Sequence, residues 1–148
     1  MHDIKEFKLS YNWLSNFYPC AITVNGITYP TLEHAYQASK TDDPTIKHKI
    51  SLLLTAGQAK RFGRTMHLPA DWDERKLKVM EWLLRIKFTN PDFRRLLVLS
   101  YPAVLEEGNN WGDRYWGICP PNSGNGENHL GKLLMKLRDE LRRTGKLL

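Results

Sequence analysis

The chain of 148 residues holds only two cysteines, Cys20 and Cys119. They are far apart and in no metal-ligand spacing. A disulfide between them is compatible with the sequence, but distant cysteines without an export signal point to reduced thiols in a cytosolic protein. The five histidines (His2, His34, His48, His67, His129) are scattered singly, and no HExxH or CxxC pattern exists. A structural or catalytic zinc is therefore not expected. No apolar run approaches the ~18 residues of a membrane span. The opening MHDIKEFKLS has acids early and no apolar core, so it does not read as a signal peptide. Repeats, low-complexity segments and linkers are lacking too, so one domain over residues 1–148 is expected.

Acids are the minority charge. Lys and Arg number 22 against 16 Asp and Glu, a net +6. Between Leu130 and Leu148 six cations (Lys132, Lys136, Arg138, Arg142, Arg143, Lys146) face two acids (Asp139, Glu140), which places +4 of the +6 there. A basic helix can track phosphates, although a solvated basic surface explains the same charge. Hydrophobic residues make up 41% and charged residues 26%, a globular balance. A domain of this length buries about 68–70% of its unfolded surface, enough for a core without staples.

The local patterns predict short strands and several helices. Residues 4–10 alternate weakly and read as a strand, followed by an irregular aromatic loop, SYNWLSNFYPC. CAITVNGITY carries a hairpin signal, with Asn25-Gly26 suited to a type I′ turn. Thr31 is placed to cap a helix reaching Lys40. Pro44 starts the next helix, with Ile46, Ile50, Leu53 and Leu54 as its apolar face. A short helix follows over AGQAKRFGR. A long one begins at Asp71 or Asp73 and ends near Phe88, with Trp82 expected in the core. Asn90-Pro91 caps another, whose core face is Phe93, Leu96 and Leu97. Strands are expected at 101–106 and 115–119, then a last helix from about Asn128 to Thr144 on a leucine stripe. The sum is helix-rich α+β, with strands in short antiparallel pieces.

Polar residues that a simple core would not request gather in three places: Ser15-Asn16-Phe17, the face of Glu33, Gln37 and Lys40, and Asn109 to Gly131. The Glu33 face follows i, i+4, i+7 spacing, and taken alone it reads as a solvated stripe. The last stretch mixes Asn110, Trp111, Asp113, Trp116, Glu127 and Asn128 with glycines and prolines, a common make-up of ligand walls. The Gly124-Asn125-Gly126 run has no Walker or Rossmann context and is not a nucleotide motif by itself.

Five separated motifs, WLSNFYP, YPTLEHAYQASK, GQAKRFGR, NNWGDRYWGI and GENHLGKLLMKLR, in this order and spacing, resemble the NADAR family of YbiA-like proteins. The resemblance runs from Phe7 to Arg143. It implies a compact, mainly helical α+β single domain and a metal-independent N-glycosidase without a cofactor. The implied substrate is a small phosphorylated riboside, such as the ribosylaminopyrimidine intermediates of riboflavin biosynthesis, with release of ribose 5-phosphate. The alternative it implies is removal of ADP-ribose from guanine in a nucleotide or DNA.

N-glycosidic cleavage passes through an oxocarbenium-like sugar, which carboxylates stabilise while activating water or protonating the leaving group. By this resemblance Glu33 is the base or the stabiliser and Asp113 its partner. Phe17, Trp111 and Trp116 are candidates to stack on the base. Lys60 and Arg64 are candidates for the sugar phosphate. Ser15, Asn16, Gln37 and Asn128 are candidates for hydroxyls or the base edge. Read without the resemblance, Glu33 is an exposed helix acid, Asp113 a turn former, Lys60 and Arg64 surface cations, and Trp111 and Trp116 either core or ligand wall. His34 is expected to be a satisfied buried histidine. A binding module for ADP-ribose is the competing class, but it does not require both acids. A nucleic-acid partner has weak support, because the last helix has cations and no aromatic ring. No membrane partner is expected, and the pattern is silent on oligomeric state.

Overall fold

Asn25 and Gly26 both take positive φ, 49° and 83°, the backbone that a type I′ turn requires. They join strand β1 (Pro19–Val24) to β2 (Ile27–Thr31). The antiparallel ladder pairs Val24 with Ile27, Thr23 with Thr28 and Ile22 with Tyr29, and reaches Pro19 opposite Thr31 after an irregularity in register. Alternation sorts the faces: the Thr23 and Thr28 hydroxyls bond at 2.8 Å on the exposed side, while Ile22 and Tyr29 are buried.

The computed structural model describes residues 2–147. Among them the elements are this hairpin, a short 3-10 helix (Leu9–Leu14) and six α-helices: α1 (Leu32–Ala38), α2 (Pro44–Ser51), α3 (Ala56–Gly63), α4 (Trp72–Lys87), α5 (Pro91–Leu99) and α6 (His129–Thr144). The architecture is the expected mainly helical α+β fold. The chain divides into two compact units, Asn16–Lys87 and the pair of segments Met1–Ser15 and Phe88–Leu148. Among the described residues no helix is long and apolar enough to cross a membrane, and Cys20 and Cys119 are both free thiols.

In Asn16–Lys87, α1 is the centre. A helix of seven residues does not hold itself together in water, and all seven of its side chains are buried. It packs against α2, α3, α4 and both strands. Thr31 caps it, its hydroxyl oxygen accepting the His34 N–H at 3.2 Å. The His34 ring closes the motif. Nε2 lies 3.0 Å from the Leu53 carbonyl, which can only accept, so Nε2 carries the proton. Nδ1 then accepts from the Thr31 hydroxyl at 2.7 Å. The imidazole is neutral and fully paired, as a buried histidine should be, and burial lowers its pKa below 6.5. Asp43 caps α2 through the Thr45 N–H, with Pro44 in the first turn. Thr55 and Gln58 form a reciprocal capping box on α3.

Two expectations in this unit change. Leu54 is 87% exposed, because α2 stops at Ser51 and its apolar face ends with it. Trp82 is 49% exposed rather than core. It is two residues from both Met80 and Leu84, and at about 100° per residue that sets it on the far side of α4. Lys87, by contrast, is buried. Burial lowers its ammonium to about 8, opposed by the Cys20 thiol, whose own pKa burial pushes up.

In the other unit, α5 packs on α6, and Leu130, Leu133, Leu134, Leu137 and Leu141 form the buried stripe that the spacing predicts. Leu97 is buried, but Leu96 is 39% exposed, so the α5 face is narrower than expected. Two cations of the basic tail are structural. Arg138 is buried and donates to the Ser100 hydroxyl at 3.0 Å, and Arg142 lies 3.3 Å above the Tyr101 ring. The strands expected at 4–10, 101–106 and 115–119 do not form. Only isolated bridges remain, Ile4 to Leu105 and Gly108 to Ile118, and residues 9–14 coil instead into the 3-10 helix. The reason is competition for the backbone: in 105–118, Asn and Asp side chains take the groups that a ladder would use.

The His34 arrangement makes a pH prediction. Below pH 6.5 the unfolded chain takes a proton on this residue that the folded chain refuses. Stability should fall as pH drops through that range, by at most about 1.4 kcal/mol per pH unit from this group. In His34→Gln the corresponding part of the slope should vanish, as read from urea unfolding at pH 7.5 and 5.5; an unchanged slope would mean that His34 charges freely in the fold.

Candidate functional site

Glu33 stands in the first turn of α1, its backbone N–H bonded to the Asn16 carbonyl at 3.1 Å. Local pattern made it an exposed acid; it is 8% exposed. A buried carboxylate needs donors or a cation, and both are present. One helical turn on, the Gln37 Nε2 donates to Glu33 Oε2 at 2.8 Å. A further turn on is Lys40. Burial lowers the Lys40 ammonium below its usual 10.5, Glu33 pulls it back up, and Lys76, Arg64 and Lys60 each push it down. Lys40, just past α1, thus meets the field of one carboxylate and of three cations, Lys60 on α3, Arg64 just past it and Lys76 on α4. The Lys40 ammonium also lies 5.4 Å from the Tyr36 ring centroid, and Lys60 stands 5.8 Å from that of Phe17. The excess of positive charge suits an anion such as a phosphate.

Two buried oxygens in this cluster have no hydrogen-bond partner, Asn16 Oδ1 and Gln37 Oε1. Each costs about 1–3 kcal/mol relative to a satisfied group. Asn16 uses its other end weakly, with Nδ2 donating to the Met80 sulfur at 3.5 Å. Gln37 Oε1 faces α3 at Gly63, where a Cβ would come within 1.8 Å of it. Only glycine lets the two helices meet there.

The loop 107–128 belongs to the other unit and is built from amides. Asn109 is 1% exposed. Its Oδ1 accepts the Trp111 and Asp113 N–H groups at 3.3 and 3.1 Å, and its Nδ2 donates to Glu107 Oε2 at 3.0 Å and to the Asp113 carbonyl at 2.8 Å. Asp113 continues the pattern, its Oδ1 accepting the Tyr115 and Trp116 N–H groups at 3.1 and 2.9 Å. Asn128 Oδ1 accepts from the Glu107 N–H at 3.0 Å, and its Nδ2 donates to the Leu105 carbonyl at 2.9 Å. Tyr115 packs on Trp116 and on His129, with ring centroids 4.8 and 4.4 Å apart. Trp111 is 61% exposed.

The expected residues therefore fall into two sets. Asn16, Phe17, Glu33, Gln37, Lys60 and Arg64 lie in Asn16–Lys87, while Ser15, Trp111, Asp113, Trp116 and Asn128 lie in the other unit. Sequence reasoning left out Lys40, Lys76 and Asn109. Lys40 had a signal, its i+7 position on the Glu33 face. Lys76 had none, since nothing local ties α4 to α1. Asn109 opens the NNWGD motif, but its role is visible only in its bonds. Among the described residues no three His, Cys, Asp or Glu side chains gather where they could hold a metal ion.

Fold and site together define a class: a mainly helical α+β protein with a buried helix carboxylate among cations. The chain belongs to the NADAR domain family, whose profile matches residues 4–142. It is 39% identical over 134 residues to the N-glycosidase YbiA of Escherichia coli K12, covering 88% of this chain and 82% of that protein. It is 38% identical over 138 residues to an N-glycosidase of Nostoc punctiforme, covering 89% and 86%. A riboflavin biosynthesis protein of Vibrio vulnificus is 36% identical over 136 residues; the match covers 89% of this chain and 36% of that protein's length. The NMR structure of Escherichia coli YbiA superposes with a TM-score of 0.83 at 36% identity, covering 98% of this chain and 89% of the other.

The Asp113 turn can be tested apart from any activity. Asp113→Ala removes the acceptor of two backbone donors and should cost about 1–2 kcal/mol in chemical denaturation, whereas Asp113→Asn keeps an acceptor oxygen and should stay within about 0.5 kcal/mol of the parent. Equal stability of all three proteins would show that the turn does not depend on this side chain.

Proposed function

We propose that this chain is an N-glycosidase, a hydrolase acting on N-glycosyl compounds, whose substrate is a phosphorylated ribosylated heterocycle of the kind used in riboflavin biosynthesis. Its sugar product is ribose 5-phosphate. The observation that carries this reading is the buried Glu33 carboxylate, held by Gln37, with Lys40 on the same face interacting with Glu33 and with Lys60, Arg64 and Lys76. The names of its relatives support it: two are N-glycosidases and one is a riboflavin biosynthesis protein.

The reaction adds water across the bond between sugar C1′ and the heterocycle nitrogen. The bonding electron pair leaves with nitrogen, which gains a proton. C1′ passes through an oxocarbenium-like state and takes the water oxygen, and the surplus water proton goes to a base. Glu33 is the carboxylate that stabilises the sugar cation or takes that proton. Lys60 and Arg64 hold the phosphate, Arg64 with a fork able to bind two oxygens. The ring of Phe17 offers a flat face to the heterocycle, and Asn16 Oδ1 accepts from a sugar hydroxyl. The remaining assignments rest on the family motifs alone: Asp113 as second carboxylate, Trp111 and Trp116 as stacking rings, Ser15 and Asn128 as hydrogen-bonding groups.

Incubation with ribosylaminopyrimidine phosphates should release ribose 5-phosphate, identified by mass. Release of ADP-ribose from ADP-ribosylated guanosine instead would move the substrate to that class, and binding of either without turnover would make the chain a binding module. Glu33→Gln should keep the fold and lose at least about a hundredfold in kcat; retained turnover would remove Glu33 from the chemistry. Lys60→Ala should raise KM for the phosphorylated substrate about tenfold or more and leave the dephosphorylated one unaffected. An equal rise for both would mean that Lys60 does not read phosphate.

A further inference from the structure

Gln37 was expected to meet substrate, yet the structure commits both ends of its amide elsewhere. The residue is 4% exposed. Its nitrogen donates to Glu33 Oε2 at 2.8 Å. Its oxygen has no partner and presses on the α3 backbone at Gly63, where a Cβ would lie 1.8 Å from it and 2.5 Å from the amide carbon. Turning the amide over would set its oxygen against the carboxylate, acceptor against acceptor. The observed orientation is therefore the one compatible with an ionised Glu33, and Gly63 is the backstop that keeps the amide there. An apolar side chain of the same length would fill this space without burying an unpaired oxygen. What it could not supply is the N–H.

We propose that Gln37 is a positioning residue for Glu33, fixing and hydrogen-bonding its carboxylate from the side opposite Gly63, rather than a ligand for substrate. This rests on the reading of Glu33 as the reacting carboxylate. The charged groups on the elements around α1 remain when Gln37 changes, among them Lys40, which interacts with Glu33. Lys40 follows α1 itself, α3 carries Lys60 and Arg61 with Arg64 just past its end, and α4 presents Lys76. From α2 come Lys47, His48 and Lys49, and β1 and β2 carry none. His34 is neutral and tied to Thr31 and Leu53. Loss of the Gln37 donor is thus a single, separable change.

The test is Gln37→Met, close in volume and without a polar end, with Gln37→Leu carried in parallel in case the first fails to fold. In protein labelled with 13C at the glutamate side-chain carboxyl, the Glu33 resonance is assigned by its loss in Glu33→Gln. Removal of a donor to the charged form should raise its titration midpoint by about one pH unit. The melting temperature should stay level or rise, because the unpaired oxygen is gone. With substrate, kcat should fall about tenfold, KM should change little, and the acid limb of the pH profile should move upward with the resonance. An unmoved Glu33 midpoint in a folded variant overturns the proposal, as does a loss confined to KM, which would return Gln37 to the role of substrate ligand. The titration needs no turnover. A shifted midpoint in a protein that cleaves no N-glycoside would keep the Gln37–Glu33 contact and reject only the proposed reaction.

Discussion

All the side chains of α1 are buried, and three of them are strongly polar: Glu33, His34 and Gln37. A helix of about two turns in that position has no water for its polar atoms and must pair them within the protein. His34 fastens to the loop after α2 through one carbonyl and to the end of β2 through one hydroxyl. Gln37 reaches Glu33 on one side and meets Gly63 of α3 on the other. Single polar contacts thereby add to the apolar packing that holds the elements of Asn16–Lys87 together. A polar core of this kind is costly when half satisfied, and two of its oxygens are unsatisfied. The fold tolerates that cost beside the Glu33 carboxylate.

Charge follows the same logic. Lys76, Arg64 and Lys60 each push the Lys40 ammonium toward losing its proton, and Glu33 opposes them. On the proposed reading an anionic substrate would relieve that repulsion, and charges already placed by helices would need little reorganisation to meet it. Stability given up to keep such groups together is a common companion of function.

What could be read in the sequence was what is local. The Asn25-Gly26 turn, the caps at Thr31 and Asn90, the start of α2 at Pro44 and the α6 leucine stripe each depend on residues within one or two turns, and each is found. Trp82 was misplaced because the apolar face of α4 was drawn too wide; Leu54 because its helix ends sooner than its pattern. The strands expected at 101–106 and 115–119 fail for a different reason: short apolar runs say nothing about whether Asn and Asp side chains elsewhere will claim the backbone. Glu33 lies between these cases. A polar i, i+4, i+7 stripe looks the same whether it meets water or a pocket, so local pattern could not choose. The order of five motifs pointed to a pocket, and the structure shows that Glu33 and Gln37 are not in water. Lys76 remained invisible because its relation to Lys40 is made by packing alone.

The two motif acids are held by different means, and the difference bears on their chemistry. Asp113 Oδ1 takes two backbone donors in a turn of its own loop, so its position is a property of the backbone and any small acceptor could supply it. Glu33 takes a side-chain donor, and that donor is wedged by a glycine on another helix. Backbone turns of the first kind occur throughout proteins without any function attached. An arrangement of the second kind has no structural benefit that an apolar pair would not provide better. An oxocarbenium pathway needs one well-placed carboxylate, provided that the leaving heterocycle can take its proton from solvent. On these grounds the proposed chemistry is assigned to Glu33 rather than to Asp113.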